Sequence, residues 1–258
     1  MQANLSVIIP FFNDHKTIIR AIESVKNQTL KPKELIIIDD HSSAPLEKNK
    51  IEAALNGTNI VLIILRNKIN KGASYSRNMG VNSSSCKYIC FLDADDSWHP
   101  QKISIQYNLM LQRNVCFTFH KYSTISKNYS FKKTHELKKI NKTRFVFGNF
   151  ICTPTVMCLK EKFITFDPKH LRMEDYKCWI ENSIINDLFY IDMVLAYGYK
   201  KPIGDSGLSG SVKLMHLSCI GVINSLKKEK KINWIFYVTA TLIEQIKYPI
   251  RILKNLIP

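Results

Sequence analysis

YICFLDADD, residues 88–96, decides the fold. Five apolar or aromatic residues, Tyr88 to Leu92, run straight into Asp93-Ala94-Asp95-Asp96. An unbroken apolar run of this length, bounded by polar residues, predicts a strand covered on both faces. Two upstream runs end in the same way. Leu5 to Ile9 stops at Pro10-Phe11-Phe12-Asn13, and Leu35 to Ile38 stops at Asp39-Asp40-His41-Ser42. Ile60 to Leu65 reads as a further strand. Between these runs, residues 15–27 carry Ile18, Ile19, Ile22 and Val25 at helical spacing, and Pro45 to Asn56 is polar and amphipathic. Residues 73–83 read as a helix entered through Lys71-Gly72. Downstream, Pro100 sits where a helix to Arg113 begins, a favoured place for proline, and Val115 to Phe119 forms a fifth strand. Strands alternating with helices predict βαβ units, hence an α/β fold on a mostly parallel, Rossmann-like sheet flanked by helices. Ligands of such sheets bind beyond the carboxyl ends of the strands, where all three polar clusters fall.

The rest of the chain is less regular. Residues 120–150 are polar, Lys-rich and without a period. Residues 153–160 read as a strand and 174–186 as a helix. Residues 212–226 and 232–256 read as helices separated by the charged stretch Lys227 to Lys231, and Pro249 is expected to kink or break the second.

Composition narrows the class. The 258 residues suffice for one substantial core and a small extension. A hydrophobic content of 45% excludes a disordered chain. A mean hydropathy of −0.11, with no apolar run approaching the ~18 residues of a membrane span, excludes an integral membrane protein. The net charge of +16 favours a polyanionic partner, or reflects a Lys-rich, solubilising surface. Nucleic-acid binding would require basic residues interleaved with aromatics on a recognisable platform; none is present, and acids at the strand ends would repel phosphate. A nucleotidyltransferase would show a Gly-rich signature near the N-terminus, and residues 10–20 contain no glycine. Seven cysteines without CxxC or zinc spacing predict free thiols in a reducing compartment. Met1 is soon followed by a strand-like run instead of a basic, then apolar, leader, so the expected location is cytoplasmic.

The polar clusters carry the chemistry. Asp93 and Asp95, two residues apart at a strand terminus, are hard oxygen ligands that suit Mg2+ or Mn2+ with phosphate oxygens completing the shell. The structural alternative is that Asp96 or Ser97 caps the helix at Pro100. Asp39 and Asp40 can accept hydrogen bonds from a ribose or a base N–H, or form a turn with an Asx cap. Asn70-Lys71-Gly72-Ala73-Ser74, leading into a helix with Arg77 and Asn78, favours an anion at a helix N-terminus, or is an ordinary capped helix. It is neither a P-loop nor a dinucleotide fingerprint. Glu174-Asp175 is either an acid pair stabilised by the helix dipole or the source of a general base.

Taken together, SVIIPFFND (6–14), ELIIIDDHS (34–42), NKGASYSRN (70–78), YICFLDADD (88–96) and MEDYKCW (173–179) resemble glycosyltransferase family 2, inverting enzymes of the GT-A fold. The resemblance covers roughly residues 4–180. It implies that Pro10 and Phe12 line a nucleotide pocket and that Asp40, with Asp39 beside it, meets the base and ribose of a UDP-sugar. It implies that Lys71 and Arg77 close around the nucleotide, that Asp93 and Ala94 contact it, and that Asp95, with Asp93, binds Mn2+ or Mg2+ and the diphosphate. Asp175 becomes the catalytic base, Glu174 orients the acceptor or assists, and Trp179 packs behind the site. Many relatives carry a His in a mobile segment that closes on the diphosphate. Here Gly204-Asp205-Ser206-Gly207-Leu208-Ser209-Gly210 has none, and His216, the nearest, is expected on a helix surface.

The resulting domain reading is a glycosyltransferase domain over 1–211, with a nucleotide-binding half (1–119) and an acceptor-binding half (120–211), followed by a helical extension over 212–258. That extension mixes Lys and Arg with Trp234, Phe236, Tyr237 and a series of Leu and Ile, as a helix lying on an anionic membrane does; it equally fits a helix packed on the domain. The family resemblance implies a saccharide acceptor, on a polyprenyl diphosphate at the inner face of a bacterial inner membrane, in O-antigen or capsule assembly. A member that binds a nucleotide sugar without turnover is the alternative; Asp93, Asp95 and Asp175 argue against it.

Overall fold

The computed structural model describes residues 2–124, 136–199 and 210–256. The expected Gly204–Gly210 lid therefore lies outside the described residues, Gly210 excepted. Four parallel strands build the first half of the sheet: β1 (Gln2–Phe11), β2 (Lys31–Asp39), β3 (Val61–Arg66) and β4 (Tyr88–Phe91). Helices α1 (Ile18–Lys26), α2 (Lys48–Ala54) and α3 (Gly72–Ser83) connect them. The chain continues through β5 (Ser97–Trp98), α4 (Lys102–Arg113), β6 (Phe117–Thr124), β7 (Leu137–Lys139), β8 (Met157–Leu159), α5 (Glu174–Ile185) and β9 (Phe189–Gly198). The strand order is β3-β2-β1-β4-β8-β6-β9-β5, with β7 on β9. Antiparallel β8 joins the two halves by pairing with both β4 and β6, and residues 119 and 120 lie inside β6.

Alternation along β1 shows why its apolar run is unbroken. Val7 and Ile9 face a layer holding Ile18, Ile22 and Val25 of α1, while Ile8 faces Phe91, Phe166 and Trp179 on the other side. Both faces are dry, so both parities must be apolar. Gly80 sets how closely α3 lies on the sheet. A Cβ there would stand 2.4 Å from Ile8 Cγ2 and 2.8 Å from Ile38 Cδ1. That close approach places Arg77, one turn earlier, over the end of β4.

The strand expected over 153–160 is shorter: a 3-10 turn, Thr153–Thr155, precedes β8. At the C-terminus α6 (Val212–Lys228) and α7 (Trp234–Leu256) pair antiparallel, with Asn224 against Tyr237 and His216 against Glu244. Helix α7 runs through Pro249 without breaking, so of the two expected effects the break does not occur. Pro249 and Gln245 are both exposed, so the carbonyl that loses its intrahelical donor meets water. One expectation is corrected. His216 is buried and not on a surface: its Nδ1 lies 3.2 Å from Glu244 Oε1, and its ring stacks on Tyr248 at 4.2 Å.

Candidate active site

The ends of β1, β2 and β4 are knitted into one floor. Asp40 N donates to Phe11 O at 2.8 Å, and Leu92 N to Ile8 O at 3.0 Å. The loops beyond β1 and β2 are laced together: Asn13 N donates to Ser42 Oγ at 3.0 Å, and Asn13 Oδ1 accepts from Ser43 N at 2.9 Å. Asn13 and His41 both take left-handed backbone, φ +57° and +63°, a conformation that costs energy in non-glycine residues and gathers at functional turns.

Asp39 and Asp40 are buried; both oxygens of Asp40 accept hydrogen bonds within the protein, whereas Asp39 Oδ2 accepts none. Asp40 Oδ1 accepts from Lys71 N at 2.9 Å and Asn67 Nδ2 at 2.7 Å, and its Oδ2 accepts from Gly72 N at 2.7 Å. A carboxylate on the first amides of α3 stabilises the helix entry, where Gly72 takes φ +85°. Asp39 Oδ1 accepts from Ser42 N at 2.8 Å, and its Oδ2 lies 3.5 Å from Arg66 Nη1. Of the other residues expected around a nucleotide, Pro10 is half-buried, Phe12 is exposed, and Lys71 is exposed with Nζ 4.1 Å from the centre of the Tyr75 ring.

Arg77, expected to close around the nucleotide, is buried, and its guanidinium is paired with acids of the protein itself. Nη2 donates to Asp93 Oδ1 at 2.8 Å, Nη1 to Glu174 Oε1 at 3.0 Å, and Phe166 lies 5.3 Å from Cζ. Burial works against its charge, but Asp93 and Glu174 outweigh burial and hold the group above its ordinary range. One residue thus ties the end of β4 to the start of α5.

The 93–96 turn is held by two more residues that sequence reasoning missed. Arg20 Nη2 donates to the Asp95 carbonyl at 2.5 Å while its guanidinium stacks 3.4 Å over Tyr199. Tyr122 donates its hydroxyl to Asp96 Oδ1 at 2.8 Å. Tyr122 reaches that position because residue 198 is glycine; a Cβ there would fall 1.8 Å from the Tyr122 oxygen. Burial, then the charges of Asp93 and Asp95, push the Asp96 carboxyl up to about 8. The alternative capping role is not realised: Ser97 pairs with Tyr197 in the sheet, and Gln101 precedes α4.

Asp93 and Asp95 remain half-exposed at the strand end, with Ala94 buried between them. Among the described residues, no three His, Cys, Asp or Glu side chains gather as a ligand set. Two carboxylates fit Mg2+ or Mn2+ of the kind that takes its remaining ligands from phosphate and water.

Arg77 links the end of β4 to the start of α5. Met173 turns the chain with φ +57°, and Glu174 and Asp175 occupy the first helical turn, where the dipole favours acids. Asp175 Oδ1 accepts from Tyr176 N at 2.8 Å and Oδ2 from Asn149 Nδ2 at 2.6 Å. Burial and the neighbouring Glu174 push its carboxyl up to about 7, against the opposing pull of Arg77, Tyr176 N–H and Asn149. Trp179 is fully buried behind the site, its indole donating to Ile151 O at 3.1 Å.

The profile of the family described as "Glycosyl transferase family 2" matches residues 6–169. The chain is 32% identical over 189 residues to the amylovoran biosynthesis glycosyltransferase AmsB of Erwinia amylovora, covering 67% of this chain and 62% of AmsB. It is 31% identical over 183 residues to WfgD of Escherichia coli, a UDP-Glc:alpha-D-GlcNAc-diphosphoundecaprenol beta-1,3-glucosyltransferase, covering 71% of this chain and 70% of WfgD. Its fold matches Staphylococcus aureus TarS 1-349 with a TM-score of 0.66 at 16% identity, over 88% of this chain and 65% of that one. The same TarS segment in complex with UDP-GlcNAc matches with a TM-score of 0.63 at 18% identity, over 88% and 66%. The chain thus spans less than two thirds of AmsB and of TarS 1-349. The fold is of the GT-A type, and the family match takes in all three acid- or proline-terminated strand ends. The chain belongs to glycosyltransferase family 2.

Proposed function

We propose that residues 1–211 transfer a sugar, with inversion, from a UDP-sugar to a hydroxyl of a saccharide carried on a polyprenyl diphosphate. The observation that carries this reading is Asp175. It is a carboxyl pushed up to about 7, at a helix start tied through Glu174 and Arg77 to Asp93 at the end of β4. A base poised near neutrality can accept a proton from the acceptor hydroxyl and later release it to water. The acceptor oxygen attacks C1 as the bond from C1 to the diphosphate oxygen breaks. UDP leaves from the opposite face, and the configuration at C1 inverts. Phe12, Pro10 and Lys71 offer the open surface for the nucleotide, while Asp39 and Asp40 shape the floor beneath it. Asp95 and Asp93 would hold Mn2+ or Mg2+, which when bound offsets charge on the departing diphosphate. The UDP-sugar and lipid diphosphate named for WfgD, and the UDP-GlcNAc bound by TarS, support the substrate class.

The test is UDP release with Mn2+ across UDP-glucose, UDP-GlcNAc and other UDP-sugars, with and without GlcNAc-diphosphoundecaprenol. Release from one donor, raised by acceptor, abolished by EDTA and lost in Asp175→Asn with UDP binding intact, is expected. Nucleotide-sugar binding without any release would favour a non-catalytic binding role.

The second part of the proposal is peripheral contact of 212–258 with an anionic membrane at the cytoplasmic face. Ile235, Leu242, Ile246 and Leu253, 58–75% exposed, recur at spacings of seven, four and seven, which puts them on one outward stripe of α7. Lys213, Lys228, Lys230 and Lys231 are exposed, while the two acids of this segment, Glu229 and Glu244, are taken by Lys177 and Arg251. Anionic lipid attracts such a surface by about 1 kcal/mol per basic residue near it. Among the described residues, no helix is long and apolar enough to cross a membrane. Ile246→Glu should abolish co-sedimentation with phosphatidylglycerol vesicles; equal binding by the variant would sink the assignment of this stripe.

A further inference from the structure

Asn149 has an amide whose orientation is fixed. Its Oδ1 accepts the backbone N–H of Ile151 at 3.1 Å, so its Nδ2 is turned to Asp175 Oδ2 at 2.6 Å. A backbone N–H only donates and an ionised carboxylate only accepts. The flipped amide would therefore set donor against donor and acceptor against acceptor. The chain reaches this position through Gly148, whose φ of +100° favours glycine. Phe145 and Phe150, on either side, pack ring on ring at 4.6 Å, and the Tyr176 hydroxyl donates to Phe145 O at 2.6 Å. The turn is therefore clamped to α5, with Asn149 held at the acid. With Tyr176 N–H on Oδ1, both oxygens of Asp175 are held from different elements.

We propose that Asn149 is a positioning residue for Asp175, its amide fixing the plane from which the carboxylate takes the acceptor proton. This rests on the reading of Asp175 as the base. The charged and titratable groups facing Asp175 are Glu174 on α5, Arg77 from α3, Cys152 from the segment after Asn149, and Cys178 further along α5. Asn149 adds a neutral donor to that set, and a donor to a carboxylate favours its ionised form.

Two substitutions separate positioning from mere support of the turn. Asn149→Asp keeps an oxygen for Ile151 N–H but replaces the donor facing Asp175 with a second carboxylate; Asn149→Ala removes both. The direct readout is carbon-13 NMR titration of carboxyl-labelled aspartates, with the Asp175 signal identified by its loss in Asp175→Asn. Its midpoint should lie near 7 in the native chain and rise by about one pH unit, a tenfold change in proton affinity, in both variants. With UDP-glucose or UDP-GlcNAc and GlcNAc-diphosphoundecaprenol, the acid limb of kcat should move by the same amount while the Kd for UDP stays unchanged. An unmoved midpoint in folded Asn149→Asp overturns the inference. If that variant does not fold, Asn149→Ala decides by the same titration. Undiminished turnover in Asp175→Asn would instead overturn the base assignment and leave the titration to report on Asn149 alone.

Discussion

Replacing Arg77 by leucine separates the two roles its guanidinium could play. As a strut it is 7% exposed and holds Glu174 at 3.0 Å and Asp93 at 2.8 Å. Leucine retains aliphatic bulk beside Phe166 but strands both carboxylates. Glu174, with its side chain 10% exposed, bears most of the cost, whereas Asp93, 30% exposed, can recruit water. Removing one partner of a buried ion pair costs about 3–5 kcal/mol. At roughly 2–4 °C per kcal/mol for a chain of this size, Tm should fall by about 10 °C. Adding Glu174→Gln should return about 1–2 kcal/mol, since neighbours in one ion-pair network are coupled. Urea and thermal melts of the native chain, both single variants and the double variant measure this directly. Calorimetric titration with UDP and Mn2+ provides the contrast. A guanidinium that gripped the diphosphate would leave Tm near native and abolish UDP affinity. Stability of Arg77→Leu within about 0.5 kcal/mol of native, the range of an inconsequential surface change, would refute the strut.

Three further outcomes follow from the same structure. Asp175→Asn should be more stable than the native chain at about pH 8 and no different at about pH 3.5. A carboxyl raised from 3.8 to about 7 favours the folded state fully below its unfolded value and loses that contribution as pH rises to 7; a stability gap that does not widen over that window would contradict the shift. Gly80→Ala should destabilise: the ~1 kcal/mol helical gain of alanine over glycine is overridden by a Cβ 2.4 Å from Ile8, and a urea midpoint above native would show that α3 can move off the sheet. Tyr122→Phe removes the hydroxyl donor of buried Asp96 and should cost about 1–2 kcal/mol; unchanged urea unfolding would mean that Asp96 finds another partner.

The first half of the sheet was legible because each strand carries its own signal. An apolar run covered on both faces needs no knowledge of its neighbours, and β1, β2 and β4 end on the polar clusters that mark their carboxyl ends. The second half depends on partners. β9, FYIDMVLAYG, is an apolar run interrupted by Asp192 and was not singled out as a strand, and β5 is two residues long; the two pair with each other, and β9 also with β6. The acids at 93–96 and 174–175 stood out in the sequence as candidates, but their supports did not. Arg20, Tyr122 and Asn149 lie far from those acids in sequence, and nothing local distinguishes them from surface polar residues. Glycine at 198 was the one faint trace, meaningful only once Tyr122 is seen against it. Arg77 was read as a ligand for an anion because a basic residue on the first turns of a helix has that form; its pairing with the protein's own Asp93 and Glu174 is a tertiary fact.

Lys247 of α7 donates to the carbonyl of Phe147, the residue before Gly148 and two before Asn149. The outward stripe of α7 and the hydrogen-bond partner of Asp175 are therefore joined by one side chain and three residues of backbone. Cutting the chain ahead of α7 would take away a brace of the turn that holds Asn149 along with the candidate anchor. Lost turnover in such a truncation would then mimic a requirement for lipid. Substitutions confined to the stripe leave Lys247 in place, and they alone can tell a tether from a keystone.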